Sequence, residues 1–323
     1  MAGSSSIETG TGRKVSSALV FSFGTAATLA TVLGFFGATW WGFDRLADFR
    51  FPYLVILVTT AIIYGFVFRR ALSAAFLLAA VANAALLAPM WLTTQPVAAS
   101  NDSIRVVSLD TDGSSDSRRA IVEWINQEEA DVALLHHTSG DWAATLDDSD
   151  VPYRIVTTPV ASEATGRSLV LVRHNTTASP LPPVPGADVT FRVATENSTA
   201  TVIGISVRNP GSSSAADDRI ERFTAVNAAA LGMPGPVVVT GNLETTRWSH
   251  AFALLAEGMT NSEDGFGYAA TWPSFDWPVV GSYTGLPVDH AVYVGAITVS
   301  YRRIGPDLGP AHRPLLFDIS PTG

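Results

Sequence analysis

The sequence predicts an α/β domain, a four-layer α/β/β/α sandwich of two packed sheets with outer helices, preceded by three transmembrane helices. Three observations carry this reading. Long windows without a charged residue are concentrated in the first ninety-odd positions. After residue 103, β-rich runs alternate with segments of helical spacing and also follow one another directly, the mixture expected of two sheets packed face to face with helices outside. The chain has 323 residues, enough for a membrane anchor and one such domain.

Composition narrows the chemistry. There is no cysteine, which excludes a disulfide framework, thiolate-ligated zinc, iron–sulfur clusters and thiol catalysis. Apolar residues make up 47% and charged residues 15%, too apolar for intrinsic disorder. The mean hydropathy of +0.25 is high for a wholly soluble protein. Residues 1–94 carry six Lys/Arg against three acids, while residues 95–323 carry fourteen Arg against twenty-six acids. A large domain with that acidic excess repels a polyanion, so nucleic acid is not an expected partner.

The anchor is read from the charge-free windows. No charge falls between Lys14 and Asp44, between Arg50 and Arg69, or between Arg70 and Asp102. The apolar stretches inside them, at about 17–39, 52–68 and 71–92, approach the roughly 20 residues needed to cross a hydrocarbon core. Trp40, Trp41, Tyr53 and Trp91 sit at their ends, where amphipathic rings favour the interface. The first stretch is too long for the apolar part of a signal peptide, and two more follow it. Arg13, Lys14, Arg69 and Arg70 flank one side; Arg45, Arg50 and Arg105 flank the other. Four cations against three put the N-terminus in the cytoplasm and, after three crossings, residue 95 onward outside. Asn83, inside the third stretch, is expected to hydrogen-bond between helices, and the small residues along 71–90 permit close helix contacts.

The soluble part follows in order. A polar linker, 95–102, leads to the β-rich run Ile104–Asp110 and a turn at Asp112-Gly113. Ser117 to Ala130 has helical spacing, with Ile121, Val122, Trp124 and Ile125 on one side. Residues 131–135, 153–160, 168–174, 189–194 and 201–207 read as strands, and Gly and Pro clusters separate some of them. A helix is expected over 217–231, with acids in its first turn, then a strand at 236–240, a helix at 248–257, and closing strands at 289–300 and 314–319. The acidic run Asp147-Asp148-Ser149-Asp150 lacks the spaced ligands of a calcium loop and reads as a solvated turn. His174 and His250 read as surface or helix-end residues.

Four strand-end segments carry polar groups where loops are free to carry function. They are Ser108-Leu-Asp110-Thr-Asp112-Gly113, then Asp131-Val-Ala-Leu-Leu-His136-His137-Thr138, then Val237-Val-Val-Thr-Gly241-Asn242-Leu243-Glu244, and finally Pro287-Val-Asp289-His290 with Gly309-Pro310-Ala311-His312. Together with Thr271-Trp272-Pro273 ahead of the Asp-His strand, their order and spacing resemble the endonuclease/exonuclease/phosphatase superfamily over about 103–320. Three N-terminal spans before such a domain are similar to bacterial membrane members. The resemblance implies metal-dependent phosphoester hydrolysis: a divalent ion held by oxygen ligands, a carboxylate that activates water, and a histidine, oriented by an acid, on the phosphate. With the three stretches and the cation asymmetry above, it points to a bacterial cell membrane location, multi-pass, with the C-terminal domain extracytoplasmic.

Carried over residue by residue, the pattern is broken. The first strand should end in Asn and ends in Asp110. Asp112 keeps an acid found in some members. His137 stands where the metal-binding Glu is expected. Asn242 replaces the expected base, and Glu244 replaces an amide. Ala311 replaces an acid near the metal. Arg208, in Val207-Arg208-Asn209, stands where a mid-domain strand often ends in His and is assigned to the substrate. Only Asp289 and His312 keep family identity, as orienting acid and imidazole. The degenerate catalytic set is thus Asp110, Asn242, Asp289 and His312, with Asp112, His137 and Glu244 as ligands only if a metal binds.

Residue chemistry gives the consequence. An amide takes no proton from water near neutral pH, and an imidazole or an alanine removes a hard oxygen donor that magnesium prefers. The expectation is a catalytically impaired, membrane-anchored protein with no cofactor, acting as a binding or partner protein in the cell envelope, with the lipid bilayer and a membrane protein or envelope lipid as its partners. The alternative is an active metal-dependent phosphoesterase on a lipid-linked phosphate or phosphodiester. In it Asp110 and Asn242 have exchanged roles, and magnesium, manganese or zinc sits on Glu244, Asp112 and His137. His136 and His137 point to opposite faces on a regular strand, so at most one serves the site; His290 likewise points away from Asp289. Trp272, Phe275 and Trp277 form an aromatic loop that contacts a lipid or sugar or else covers the core.

Overall fold

The computed structural model describes residues 5–67, 70–94, 103–112, 114, 116–157, 161–162, 166–182, 184–273, 283 and 285–321. The expected linker 95–102, Gly113, Phe275 and Trp277 lie outside them. The chain divides into two compact units, Met1–Pro89 and Met90–Gly323.

The first unit is helical: α1 (Ser5–Leu33), α2 (Trp41–Ala47), α3 (Arg50–Val67) and α4 (Arg70–Leu87). Its core joins Ala27 of α1, Leu57, Ala61 and Tyr64 of α3, and Phe76 and Ala80 of α4. Asn83 is fully buried, and its Nδ2 donates to Thr31 Oγ1 of α1 at 2.9 Å and to Ala79 O at 2.9 Å. The expectation of three spanning helices is corrected. Among the described residues, one helix, Ala18–Phe36, is long and apolar enough to cross a membrane. The second stretch is reached by two helices, Trp41–Ala47 and Arg50–Phe66, bent by 64°, which are long and apolar enough only if taken together as one broken span; the third, Ala71–Leu87, is too short. Pro89 is the reason for the last. It has no N–H to continue the ladder, so the apolar run to Leu92 is divided between α4 and a separate short helix, α5 (Pro89–Leu92).

The second unit is an α/β sandwich. One sheet has the order β12-β13-β1-β2-β5-β3, with β4 on β5; the other runs β10-β11-β9-β8-β7-β6. The strands of the first are β1 (Ile104–Asp110), β2 (Val132–Thr138), β3 (Tyr153–Thr157), β4 (Ala161–Ser162), β5 (Gly166–Arg173), β12 (Ile297–Ile304) and β13 (Leu315–Pro321). Those of the second are β6 (Thr177–Pro180), β7 (Val189–Ala194), β8 (Thr199–Gly204), β9 (Val237–Asn242), β10 (Thr260–Asn261) and β11 (Asp289–Val294). β1 and β2 run parallel, as do β8 and β9.

Strand alternation sorts the side chains into layers. Val106, Leu134, Val170 and Phe317 of one sheet meet Phe191, Val202, Val238 and Ala291 of the other between the sheets. On the outer face of the first sheet, Val107, Leu109 and Leu135 pack on Ile121 and Ile125 of α6 (Arg118–Gln127) and Trp142 of α7 (Trp142–Ser149). On the outer face of the second, Ile203, Val239 and Val292 pack on Phe223 and Val226 of α8 (Ser213–Gly232) and Phe252 of α9 (His250–Ala256).

Several local expectations shift. The expected strand 289–300 is two strands, because Gly295 turns the chain at φ +99°, a region that favours glycine. The helix expected from Asp217 begins at Ser213 and is capped by the Ser212 hydroxyl, which accepts from Ala215 N; Asp217 and Asp218 therefore fall in its second turn. The acidic run 147–150 is the last turn of α7, with Asp150 in the left-handed cap. His250 opens α9, and His174 is exposed.

Candidate functional site

The two sheets deliver their polar ends to one cleft. Asp110, Asp112, His137, Arg208, Glu244 and His312 line a cavity of about 480 Å³. Asn242 and Asp289 sit behind this lining, each about 1% exposed, paired across β9 and β11.

Asp110, at the end of β1, is the hub. Its Oδ2 accepts from His137 Nδ1 at 2.6 Å and from Asn242 Nδ2 at 2.7 Å, and its Oδ1 accepts from the Asp112 amide at 2.9 Å. The Asn242 bond joins the two sheets. Asn242 also donates to Glu244 Oε1 at 3.1 Å and accepts from the Glu244 amide at 2.9 Å. Flipping that amide would turn its carbonyl oxygen on two carboxylates, so the orientation follows from the network. Burial pushes the Asp110 carboxyl up, but the hydrogen bond and charge of His137, with His312 and Asn242, hold it well below the usual carboxylate range.

Adjacent His136 and His137 part company. β2 is irregular against β5 between Leu135 and Thr138, and His137 adopts left-handed backbone, φ 49°. A bulge of this kind re-aims a side chain: His137 turns to Asp110 instead of the outer face. Its Nε2 lies 3.2 Å from Ser206 Oγ. Burial lowers the His137 imidazole, but its bond to Asp110 outweighs this and raises it overall. His136 stays between the sheets, fully buried, with Nδ1 3.2 Å from Ser168 Oγ. Burial pushes its imidazole down.

Asp289 and His312 form the second pair, Oδ2 to Nδ1 at 2.9 Å. Thr271 of the Thr-Trp-Pro segment holds the start of that strand, its Oγ1 accepting from the Val288 and Asp289 amides at 3.0 and 3.1 Å. Burial lowers His312, yet Asp289 first, then Asp110 and Glu244, push it up to about 9. His312 Nε2 lies 3.7 Å from Glu244 Oε1. Burial raises the Glu244 carboxyl, with Asn242 and His312 acting against it. His290, next in sequence, faces the other way: its Nε2 donates to Thr245 O at 2.8 Å and its ring meets buried Glu263.

Asp112, His137 and Glu244 all have positive φ, near 48–50°. Such backbone costs a non-glycine residue about 1–3 kcal/mol and concentrates at functional sites. Ser206 was not singled out from sequence. Its signal is the alternation 202, 204, 206, which puts it on the inward face beyond the end of β8. Arg208, two residues on, is exposed at the cleft edge.

A divalent ion does not fit this donor set as it stands. Both Asp110 oxygens, the Asn242 carbonyl and Glu244 Oε1 already accept hydrogen bonds from neighbours. Among the described residues no group of three His, Asp or Glu is placed to hold a metal.

The comparisons agree with this architecture. Residues 100–320 match the Endonuclease/Exonuclease/phosphatase family; the chain belongs to it. Enzymes of the family commonly use divalent metals. Among solved structures, D. rerio TDP2 complexed with single-strand DNA product is 13% identical, with a TM-score of 0.53 over 68% of this chain and 100% of that one. Truncated Caenorhabditis elegans TDP2 is 11% identical, with a TM-score of 0.52 over 68% of this chain and 98% of its own. A Bacteroides thetaiotaomicron protein of the family is 10% identical, with a TM-score of 0.50 over 67% and 97%. A search of curated proteins finds no match.

Proposed function

We propose that this chain is a membrane-anchored family member of the bacterial cell envelope, its C-terminal domain extracytoplasmic, whose cleft binds a ligand or partner without hydrolysing it. The observation that carries this reading is the Asn242 amide, which points its N–H at Asp110 Oδ2 where the family resemblance calls for the base. An amide accepts no proton from water near neutral pH, and loss of a general base lowers a rate by about 10²–10⁴. Asp110 Oδ2, already accepting from His137 Nδ1 and Asn242 Nδ2, is not free to take over as base. The acidic excess beyond residue 95 favours an envelope lipid or membrane protein over nucleic acid as the partner. The apolar helix Ala18–Phe36 supports the anchor.

The test is a hydrolysis assay of the full-length protein in detergent, with magnesium or manganese, on phosphomonoesters, phosphodiesters and lipid-linked phosphates. No turnover above buffer is expected. Metal-dependent turnover lost in Asp110→Ala or Glu244→Ala would overturn the reading in favour of an active phosphoesterase. Topology is tested independently. The chain has no cysteine, so Ser214→Cys, on the exposed start of α8, should be labelled by a membrane-impermeant maleimide on intact cells; labelling only after lysis would place the domain inside.

A further inference from the structure

We propose that His137 disfavours divalent metal in this cleft by occupying, through its hydrogen bond to Asp110, a carboxylate oxygen that would otherwise face an ion. The inference rests on the reading of the cleft as a binding site and adds that its ligand is received without an ion.

The argument is one of lone pairs. A carboxylate ligates a hard cation by directing an oxygen lone pair at it from about 2.1 Å. Asp110 Oδ2 has two acceptor positions, and His137 Nδ1 and Asn242 Nδ2 take both, at 2.6 and 2.7 Å. Nor is His137 free to ligate, since its Nε2 faces Ser206 Oγ at 3.2 Å. The ring cannot swing aside cheaply. It sits on left-handed backbone at a strand irregularity, and its far end is held by a fixed post. The Ser206 amide donates to Asp188 Oδ2 at 2.5 Å, and its carbonyl accepts from Arg222, which also donates to Asp188 Oδ1.

The line Ser206–His137–Asp110 has the order of a nucleophile, base and orienting acid. Ser206 is fully buried, however, and does not line the cleft. No substrate atom reaches its hydroxyl, so it serves as an anchor for the ring.

Manganese is the probe, read by the loss of free-ion signal in electron paramagnetic resonance with the full-length protein in detergent. The wild type is expected to bind no stoichiometric manganese at millimolar ion. His137→Glu should bind one per chain, at least tenfold tighter than wild type. His137→Ala, which uncovers Asp110 without adding a ligand, should fall between them, and it decides the matter if the Glu variant fails to fold, as judged by thermal unfolding in chelator. One manganese per wild-type chain, abolished by Asp110→Ala, would overturn the inference, as would folded variants that all remain as silent as wild type. The two readings fail separately. Metal bound without turnover sinks only this inference; turnover in the presence of chelator sinks only the proposed loss of hydrolysis.

Discussion

The cleft contains two histidine–carboxylate pairs that look alike and differ in what their outer nitrogens meet. Asp289–His312 and Asp110–His137 both join Nδ1 to an acid, at 2.9 and 2.6 Å. His312 turns its Nε2 towards Glu244, 3.7 Å away in the cleft lining. His137, itself in the lining, points its Nε2 at the Ser206 hydroxyl, which is buried behind it. One pair keeps an imidazole on offer, and the other uses an imidazole to close off an acid. The same two residue types therefore open or seal a site according to which end of the ring is anchored.

The largest effect expected from breaking this symmetry is on the Asp289 side. Asp289→Ala leaves His312, 5% exposed, without its acid, and should cost about 3 kcal/mol or more, as removing one partner of a buried pair does. Denaturant unfolding of the full-length protein measures it, and a loss under 1 kcal/mol would mean the pair contributes little. Next comes Asp110→Asn, which weakens two charge-assisted bonds at once and should cost about 2 kcal/mol. A double-mutant cycle with His137→Gln should return a coupling of about 1–3 kcal/mol; additivity would show that the 2.6 Å contact carries no energy.

The pH dependence tests the Asp289–His312 pair, with His137, also raised, contributing in the same direction. His312 stands at about 9 in the folded protein against about 6.5 unfolded. A raised pKa means that the folded state binds the extra proton. The stabilisation is thus fully present below about pH 6.5 and is lost as pH rises through 9. Unfolding free energy should fall between pH 6.5 and 9, and His312→Gln should flatten that slope; an unchanged slope would assign it to other groups. The smallest effects belong to single neutral bonds. Ser206→Ala should cost about 1 kcal/mol, and Asn83→Ala in the helical unit about 0.6 kcal/mol, both read as shifts in thermal midpoint against wild type.

Much of the fold was legible in the chain. Inward Val106, Leu134 and Val238 and outward Val107, Leu109 and Val239 belong to continuous apolar runs, which mark strands buried on both faces, and the apolar stripe of α6 follows a period of 3.6. Asp110, His137 and Glu244 were legible because they stand where apolar runs stop, and the cleft they line also takes His312 from the loop ahead of β13. What escaped was whatever depends on one residue's backbone. Alternation alone could not choose between His136 and His137; the irregularity in β2 did. Ser206 was passed over because a serine after a strand is unremarkable until something is found opposite it. The third membrane stretch was overcounted because hydropathy does not register that Pro89 interrupts a helix.

Local chemistry, then, was settled by sequence alone: the missing thiols, the charge contrast between the two units, the strand phases and the amide standing at 242 are properties of residues in order. Which oxygen meets which nitrogen was settled only by the tertiary structure. Asp110 and Asn242 are 132 positions apart and lie on different sheets, and their contact depends on how those sheets pack and where β2 bulges. A hydrogen bond tolerates only a few tenths of an ångström in donor–acceptor distance, and no pattern along the chain carries that precision.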